Sequence, residues 1–151
     1  MTNLTKPHPE SRFWNRMAPG YARSTISDVE NYERKLRETA ALMRPDMQVL
    51  EIGCGSGYQA AILSKICRRV FTIERIDELL KEAKSRFSAL KMHNIITRFD
   101  EGKRGLKKYA PFESILFSAI VKEIPSVLFE QLVEGGICVA PLLETEDYQS
   151  R

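Results

Sequence analysis

The sequence predicts one α/β domain: a parallel sheet with helices on both faces. Three observations carry that expectation. Apolar runs of strand length alternate with amphipathic stretches of helix length, as in repeated strand–helix–strand units. The stretch VLEIGCGSGYQAA, from Val49 to Ala61, sets three glycines within five residues at the exit of an apolar run. The length, 151 residues, is that of a single domain, with 43% hydrophobic and 28% charged residues in ordinary globular balance.

The elements follow in order. The opening MTNLTKPHPES is polar and reads as a flexible tail over residues 1–11, without the apolar core of a secretion signal. The domain is expected over 12–151, with a helical segment at 12–46 and an α/β core at 47–143. Phe13, Trp14, Met17 and Tyr21 share one helical face over 12–22, which Pro19-Gly20 interrupts. Ser27-Asp28-Val29-Glu30 has the S-x-x-E form of a capping box. Val29, Tyr32, Leu36, Ala40 and Met43 then recur every three or four residues, so a helix ends before Pro45. Met47–Ile52 reads as the first strand, Tyr58–Cys67 as a helix and Arg69–Glu74 as the second strand. Asp77 is placed to cap a helix whose apolar face is Leu79, Leu80, Ala83, Phe87 and Leu90. Ile95–Phe99 is the third strand, Asp100–Ala110 a loop with a helical turn, and Glu113–Ser118 the fourth strand. Pro125 suits the first turn of a helix reaching Val133, which Gly135-Gly136 ends. Ile137–Leu142 is the fifth strand, and the polar Glu144–Arg151 is expected to fray.

Composition removes several function classes. A net charge of +3 is too weak to argue for a nucleic-acid binder. No apolar run approaches the roughly 18 residues of a membrane span. Cys54, Cys67 and Cys138 are odd in number and widely spaced, which is no disulfide framework. With only His8 and His93 as partners they make no zinc site, so no metal is expected. Reduced thiols in a cytoplasmic protein are the simplest reading.

In an open α/β sheet, ligands bind beyond the carboxyl ends of the strands where the strand order reverses. The loop Gly53-Cys54-Gly55-Ser56-Gly57 lies there and is expected to line a ligand site. A phosphate-binding P-loop needs G-x-x-x-x-G-K-[ST], which is absent. A dinucleotide loop, G-x-G-x-x-G, would place its third glycine at Tyr58, which counts against NAD. The spacing E-x-G-x-G-x-G, from Glu51 to Gly57, is instead that of class I methyltransferases that bind S-adenosylmethionine. That ligand carries an ammonium and a sulfonium, and an acid at Glu51 suits its positive end, directly or through water. Glu74, at the end of the second strand, can accept both hydroxyls of a ribose. Arg75 and Ile76 would then lie beside the adenine, and Glu101, next to Gly102, could accept from its amino group.

At a longer range the residues are similar to a known family. VLEIGCGSGYQAAILSK, VFTIERIDELLKEA, EGKRGLKKYAPFESILFSA, IPSVLFEQLVEGG and VAPL resemble the protein-L-isoaspartate O-methyltransferases from about Gln48 to Leu142. The resemblance implies a Rossmann-like class I methyltransferase sheet, with its five-stranded parallel core in the order 3-2-1-4-5. It also implies methyl transfer from S-adenosylmethionine to the carboxylate of an isoaspartyl residue in a peptide or protein, leaving S-adenosylhomocysteine. The chain departs from the family in two places. Asp100-Glu101-Gly102 stands where the family has Gly-Asp-Gly, and no G-Q-T-I-S-type stretch precedes the first strand. The segment FWNRMAPGYARS, with Trp14, Ala18 and Tyr21, resembles instead the opening of other small class I methyltransferases, which closes over the cofactor. Tyr21 is therefore a further candidate cofactor contact.

Seven strands complete a fold of this class, and the sequence supplies five. The usual C-terminal strand pair is missing from the reading, so the outer edge of the fifth strand is expected to be open and to invite a homo-oligomer. A carboxylate acceptor is ionised at neutral pH and needs no general base, so no catalytic residue is required by the chemistry. Ser118, at the end of the fourth strand, is the one residue that could border the transfer point. The basic run Lys103, Arg104, Lys107 and Lys108 reads as a solvated loop. The leading expectation is an isoaspartyl-type methyltransferase. Its alternative is an engineered or truncated chimera, joined near the first strand, that folds and binds cofactor without turnover.

Overall fold

The computed structural model describes residues 29–143. The expected tail, the helix over 12–22 with Tyr21, Ser27 and Asp28 of the capping box, and residues 144–151 lie outside the described residues.

Helix α1 (Val29–Ala41) precedes strand β1 (Gln48–Ile52), helix α2 (Tyr58–Ile66), strand β2 (Arg69–Glu74) and helix α3 (Asp77–Ala89). Strand β3 (Ile95–Phe99), strand β4 (Phe112–Phe117), the short helix α4 (Ser126–Phe129) and strand β5 (Leu132–Val139) follow. The five strands pair in parallel in the order β3-β2-β1-β4-β5, the order the resemblance implied. A 3-10 turn at Lys107–Tyr109 sits inside the loop expected over 100–110.

Alternation along the strands divides the core into two layers. Val49, Val70 and Leu116 face α2 and α3, where they meet Ala60, Leu63, Leu80, Ala83 and Phe87. Leu50, Phe71 and Ile115 face the other way, against Phe112, Leu128, Leu106 and Tyr109. The Phe71 ring lies 4.7 Å from that of Tyr109 and 5.6 Å from that of Phe112, the latter edge-on. Each fully buried side chain of this size contributes roughly 1.5–3 kcal/mol relative to exposure. Two side-chain amides, the buried Gln131 and the half-buried Asn94, fasten the loops to this core. Gln131 accepts from Leu106 N–H (2.9 Å) and donates to the Arg104 carbonyl (2.7 Å), while Asn94 Nδ2 donates to the Ser64 carbonyl (2.7 Å).

Three expectations need correction. The helix after Pro125 spans only Ser126–Phe129, and Pro125 is its cap rather than its first turn. Leu132–Gly136 belongs to β5: Leu132 pairs with Phe112, and Ile137 pairs with Ser114. Between these two pairs β5 has four residues, 133–136, where β4 has only Glu113, and the excess includes Gly135, whose φ is +75°. The glycine pair is thus an irregularity inside a strand, not a helix stop. Asp77 is likewise not a cap. Ile76 holds that position, and Asp77 in the first turn pairs with Lys81 at 2.6 Å. Lastly, α1 ends at Ala41, one turn early, with Met43 still buried in the core.

Gly57 joins the loop after β1 to α2 and closes against α3. It caps α2 in the left-handed region (φ +85°), and a Cβ there would lie 2.7 Å from the Phe87 ring. Gly57→Ala is expected to lower stability by about 1–3 kcal/mol, read from urea midpoints. Adding Phe87→Leu should recover part of the loss specific to the clash. An unchanged midpoint for Gly57→Ala would remove the steric account.

Candidate functional site

The chain runs from β1 outwards to β3, then returns to place β4 on the other side of β1, so the strand order reverses there. The loops leaving β1, β2, β3 and β4 meet at that reversal around a cleft of about 740 Å³. Its size is that of a small-molecule site. Of the residues singled out in the sequence, Gly53, Gly55, Glu74, Arg75, Ile76, Glu101, Gly102 and Ser118 line it.

The glycine loop is laid across the end of β2. Gly53 and Cys54 N–H both donate to the Ile73 carbonyl (2.8 and 3.2 Å), and Gly55 N–H donates to Glu74 Oε2 (2.8 Å). Gly55 takes φ +52°, a conformation that a β-branched side chain strongly resists. Glu74 Oε1 accepts from Arg75 and Ile76 N–H at 2.9 and 3.0 Å. Three main-chain donors thus fix a nearly buried carboxylate at the cleft wall. Oε2, with one of these donors, keeps acceptor capacity toward the cleft.

Glu51 lies one layer beneath, with no exposed surface. Parallel register sets it beside Thr72, whose hydroxyl donates to Oε1 at 2.6 Å. Ser118 Oγ lies 3.0 Å from Oε2 and 3.1 Å from Gln59 Oε1. Burial pushes the Glu51 carboxyl from the ordinary 4.5 up to about 7. The Thr72 and Ser118 hydroxyls draw it back, the Glu74 charge adds to the rise, and no cation is among the groups that shift it. Glu51 therefore reaches the cleft through Ser118, not as part of its wall.

Other expected residues fall behind the wall. Cys54 is buried, and burial first, then the Glu51 and Glu74 charges, push its thiol up to about 12, so it is an inert packing group. The Ser56 carbonyl accepts from the buried Arg86 guanidinium at 3.1 Å, and Gly57 packs on Phe87. Glu101 stands at the rim, 68% exposed and paired with Lys103 at 3.2 Å. Its neighbour Asp100 closes the turn instead, accepting from Gly102 N–H at 2.9 Å. Gly102 is needed because a Cβ would lie 2.6 Å from Ile52.

Sequence reasoning passed over most of the loop after β4. Ala119, Ile120, Val121 and Lys122 line the cleft, and Ile120 is 67% exposed. Exposed Ile76 lines the cleft from the β2 side, so two exposed apolar side chains border it. The signal in the sequence is the apolar Ala119-Ile120-Val121 directly after an apolar strand.

A parallel sheet of this order, with a glycine loop after β1 and an acid at the end of β2, defines a Rossmann-like class I methyltransferase fold. A family model described as protein-L-isoaspartate(D-aspartate) O-methyltransferase matches residues 5–150, and the chain belongs to that family. Its match includes the N-terminal segment, beyond the Gln48–Leu142 range over which the likeness was first read. A protein-L-isoaspartate O-methyltransferase of Helicobacter pylori is 56% identical over 99 residues, 66% of this chain and 47% of the relative. One of Paramagnetospirillum magneticum is 51% identical over 96 residues, 64% of this chain and 45% of the relative. The chain thus spans about half the length of these relatives. A solved protein-L-isoaspartate O-methyltransferase superposes with a TM-score of 0.66 at 31% identity, over 72% of this chain and 35% of that one.

The Glu51 carboxyl makes stability depend on pH. Its folded pKa lies above its unfolded one, so its contribution is greatest below pH 4.5, falls as pH rises to about 7, and is level beyond. The full loss is of order 3 kcal/mol. Glu51→Gln is expected to remove that slope, so the variant gains on the parent between pH 4.5 and 7 in urea unfolding. A constant difference across that window would contradict the assignment.

Proposed function

We propose that this chain binds S-adenosylmethionine in the cleft and transfers its methyl group to the carboxylate of an isoaspartyl residue in a peptide or protein. The observation that carries the reading is Glu74: a carboxylate fixed by three main-chain donors, one of them from the glycine loop, on the wall of a nucleoside-sized cleft. The residues present fit that cofactor. Glu74 Oε2 can take the ribose hydroxyls, and Ile76 and Ile120 can cover the two sides of an adenine. The Asp100–Gly102 turn, with Glu101 at its rim, meets the adenine edge. Glu51 supplies negative charge under the cationic end.

S-adenosylmethionine brings a methyl group on sulfonium, a leaving group already activated. The protein's part is to orient the reactants and keep water out. An ionised acceptor needs no base, which agrees with a cleft lined, among the described residues, by a single hydroxyl, that of Ser118. A second reading, cofactor binding without turnover, draws on the missing G-Q-T-I-S-type stretch. We also place the chain in the cytoplasm, where its three free thiols would stay reduced. No helix among the described residues is long and apolar enough to cross a membrane. A homo-oligomer through the β5 edge completes the proposal: among the described residues β5 pairs only with β4, and Leu142 and Leu143 nearby are about half exposed.

Calorimetry is expected to give binding of S-adenosylmethionine and S-adenosylhomocysteine but not of NAD. Gly55→Val should abolish that binding while circular dichroism retains the parent spectrum; unchanged affinity would refute the loop's role. Methylation of an isoaspartyl peptide, absent with the aspartyl control, is expected in the same preparation. Tight cofactor binding without transfer would leave the second reading in place of the first.

A further inference from the structure

The buried Glu51 carboxyl poses a question that the cofactor reading leaves open. An ionised carboxylate without a cation is costly to bury. The groups facing Glu51 are Thr72 and Glu74 from β2, Cys54 from the loop, and Ser118 after β4, with Gln59 of α2 beyond Ser118. The one charge among them that shifts it, Glu74, has the same sign.

The hydrogen-bond geometry accommodates a proton on Glu51. Ser118 has one hydroxyl proton but two acceptor oxygens within reach, Glu51 Oε2 and Gln59 Oε1. If Glu51 is the neutral acid, a continuous chain forms. Thr72 donates to Oε1, the acid donates from Oε2 to Ser118, and Ser118 donates to Gln59. If Glu51 is ionised, Ser118 must turn its proton back to Oε2, and the Gln59 contact then needs an amide nitrogen in place of the oxygen. Ser118 is exposed at the cleft, so this chain also joins the buried carboxyl to solvent.

We propose that Glu51 is a proton-exchange site coupled to cofactor binding: it holds a proton in the free protein and releases it when a ligand cation enters the cleft above it. This rests on the cofactor reading and adds a regulation to it. The Glu51 O–H bond breaks, its electrons stay on Oε2, and the proton passes to the Ser118 hydroxyl, which hands its own proton to solvent at the cleft and so to the buffer. The entering cation supplies the counter-charge that the protein lacks at this point, so binding and ionisation favour each other. A shift of the free carboxyl to about 7 places this exchange in the physiological range.

The test is calorimetric titration of the whole chain with S-adenosylmethionine from pH 5.5 to 7.0, in buffers of small and large ionisation enthalpy. In that range the ligand's own amino group, with an ordinary pKa near 7.7–8.0, stays charged. The expected result is release of close to one proton per ligand at pH 6, about half that at pH 7, and a roughly tenfold gain in affinity across the range. Glu51→Gln should bind with neither proton release nor that pH dependence. Should the variant not fold, infrared spectroscopy of the parent decides. A protonated-carboxyl band at pH 6 that disappears on ligand addition supports the exchange; its absence, or its persistence in the complex, overturns it. Tight binding without proton release, or equal release from Glu51→Gln, also overturns it while leaving the cofactor reading intact. No binding at any pH removes both.

Discussion

The hydrogen bond from Gly55 N–H to Glu74 Oε2 is the constraint on which the site depends. It ties the loop after β1 to the end of β2, two segments that the sheet has already brought into register at Ile52 and Ile73. A charge-assisted bond of this kind is stronger than a neutral one. To reach it the chain must turn over the Ile73 carbonyl, which already accepts from Gly53 and Cys54. That path requires a left-handed conformation at Gly55 and again at Gly57, where the helix begins. The three glycines in five residues are the sequence trace of a backbone bent to meet one carboxylate.

The same strand ends carry a polar layer where a core would ordinarily be apolar. Val49, Val70 and Leu116 face α2 and α3; one step along each strand on that face stand Glu51, Thr72 and Ser118. Burying Glu51 there costs the desolvation of a carboxyl, which an apolar residue would avoid only by leaving the buried Thr72 hydroxyl without its acceptor. Hydroxyl partners satisfy Glu51, and no buried polar side-chain atom among the described residues lacks a partner. A satisfied acid with no cation beside it, directly beneath a cleft, is suited to meet positive charge arriving from outside the chain.

Much of this was legible in the sequence because local chemistry decided it. The strands β1 to β3 are short apolar runs bounded by loops, and the spacing of Glu51, the glycines and Glu74 needed only the alternation of strand and helix to be placed together. What escaped was decided by pairing at a distance. Gly135-Gly136 looks like a helix stop, yet Leu132 is drawn into the sheet by Phe112, and Gly135 falls within the excess chain of β5. Gln131 falls within the helix expected to reach Val133, yet it lies beyond the short α4 and anchors the loop at Arg104 and Leu106. Glu51 was assigned to the ligand's positive end, and its depth beneath Ser118 depended on a contact across 67 residues that no spacing reveals.

The cleft is also unequally held on its two sides. On the β1–β3 side the walls are pinned by Glu74, by Asp100 closing on Gly102, and by Gln131 holding the chain at Leu106. On the β4 side, Ser118 is tied to Ile52, Glu51 and Gln59, and Val121 to Pro141 and Leu143, while Ala119 and Ile120 between them stand exposed. Methyl transfer in line from a sulfonium needs a cofactor held to a few tenths of an ångström, and the pinned side provides that rigidity. An acceptor presented on varied peptides needs the reverse, a wall that yields to different neighbours. Local opening is drawn from the least tied elements of a fold, and on this wall that is the exposed Ala119-Ile120 stretch, the side on which the proposed reaction would take its acceptor.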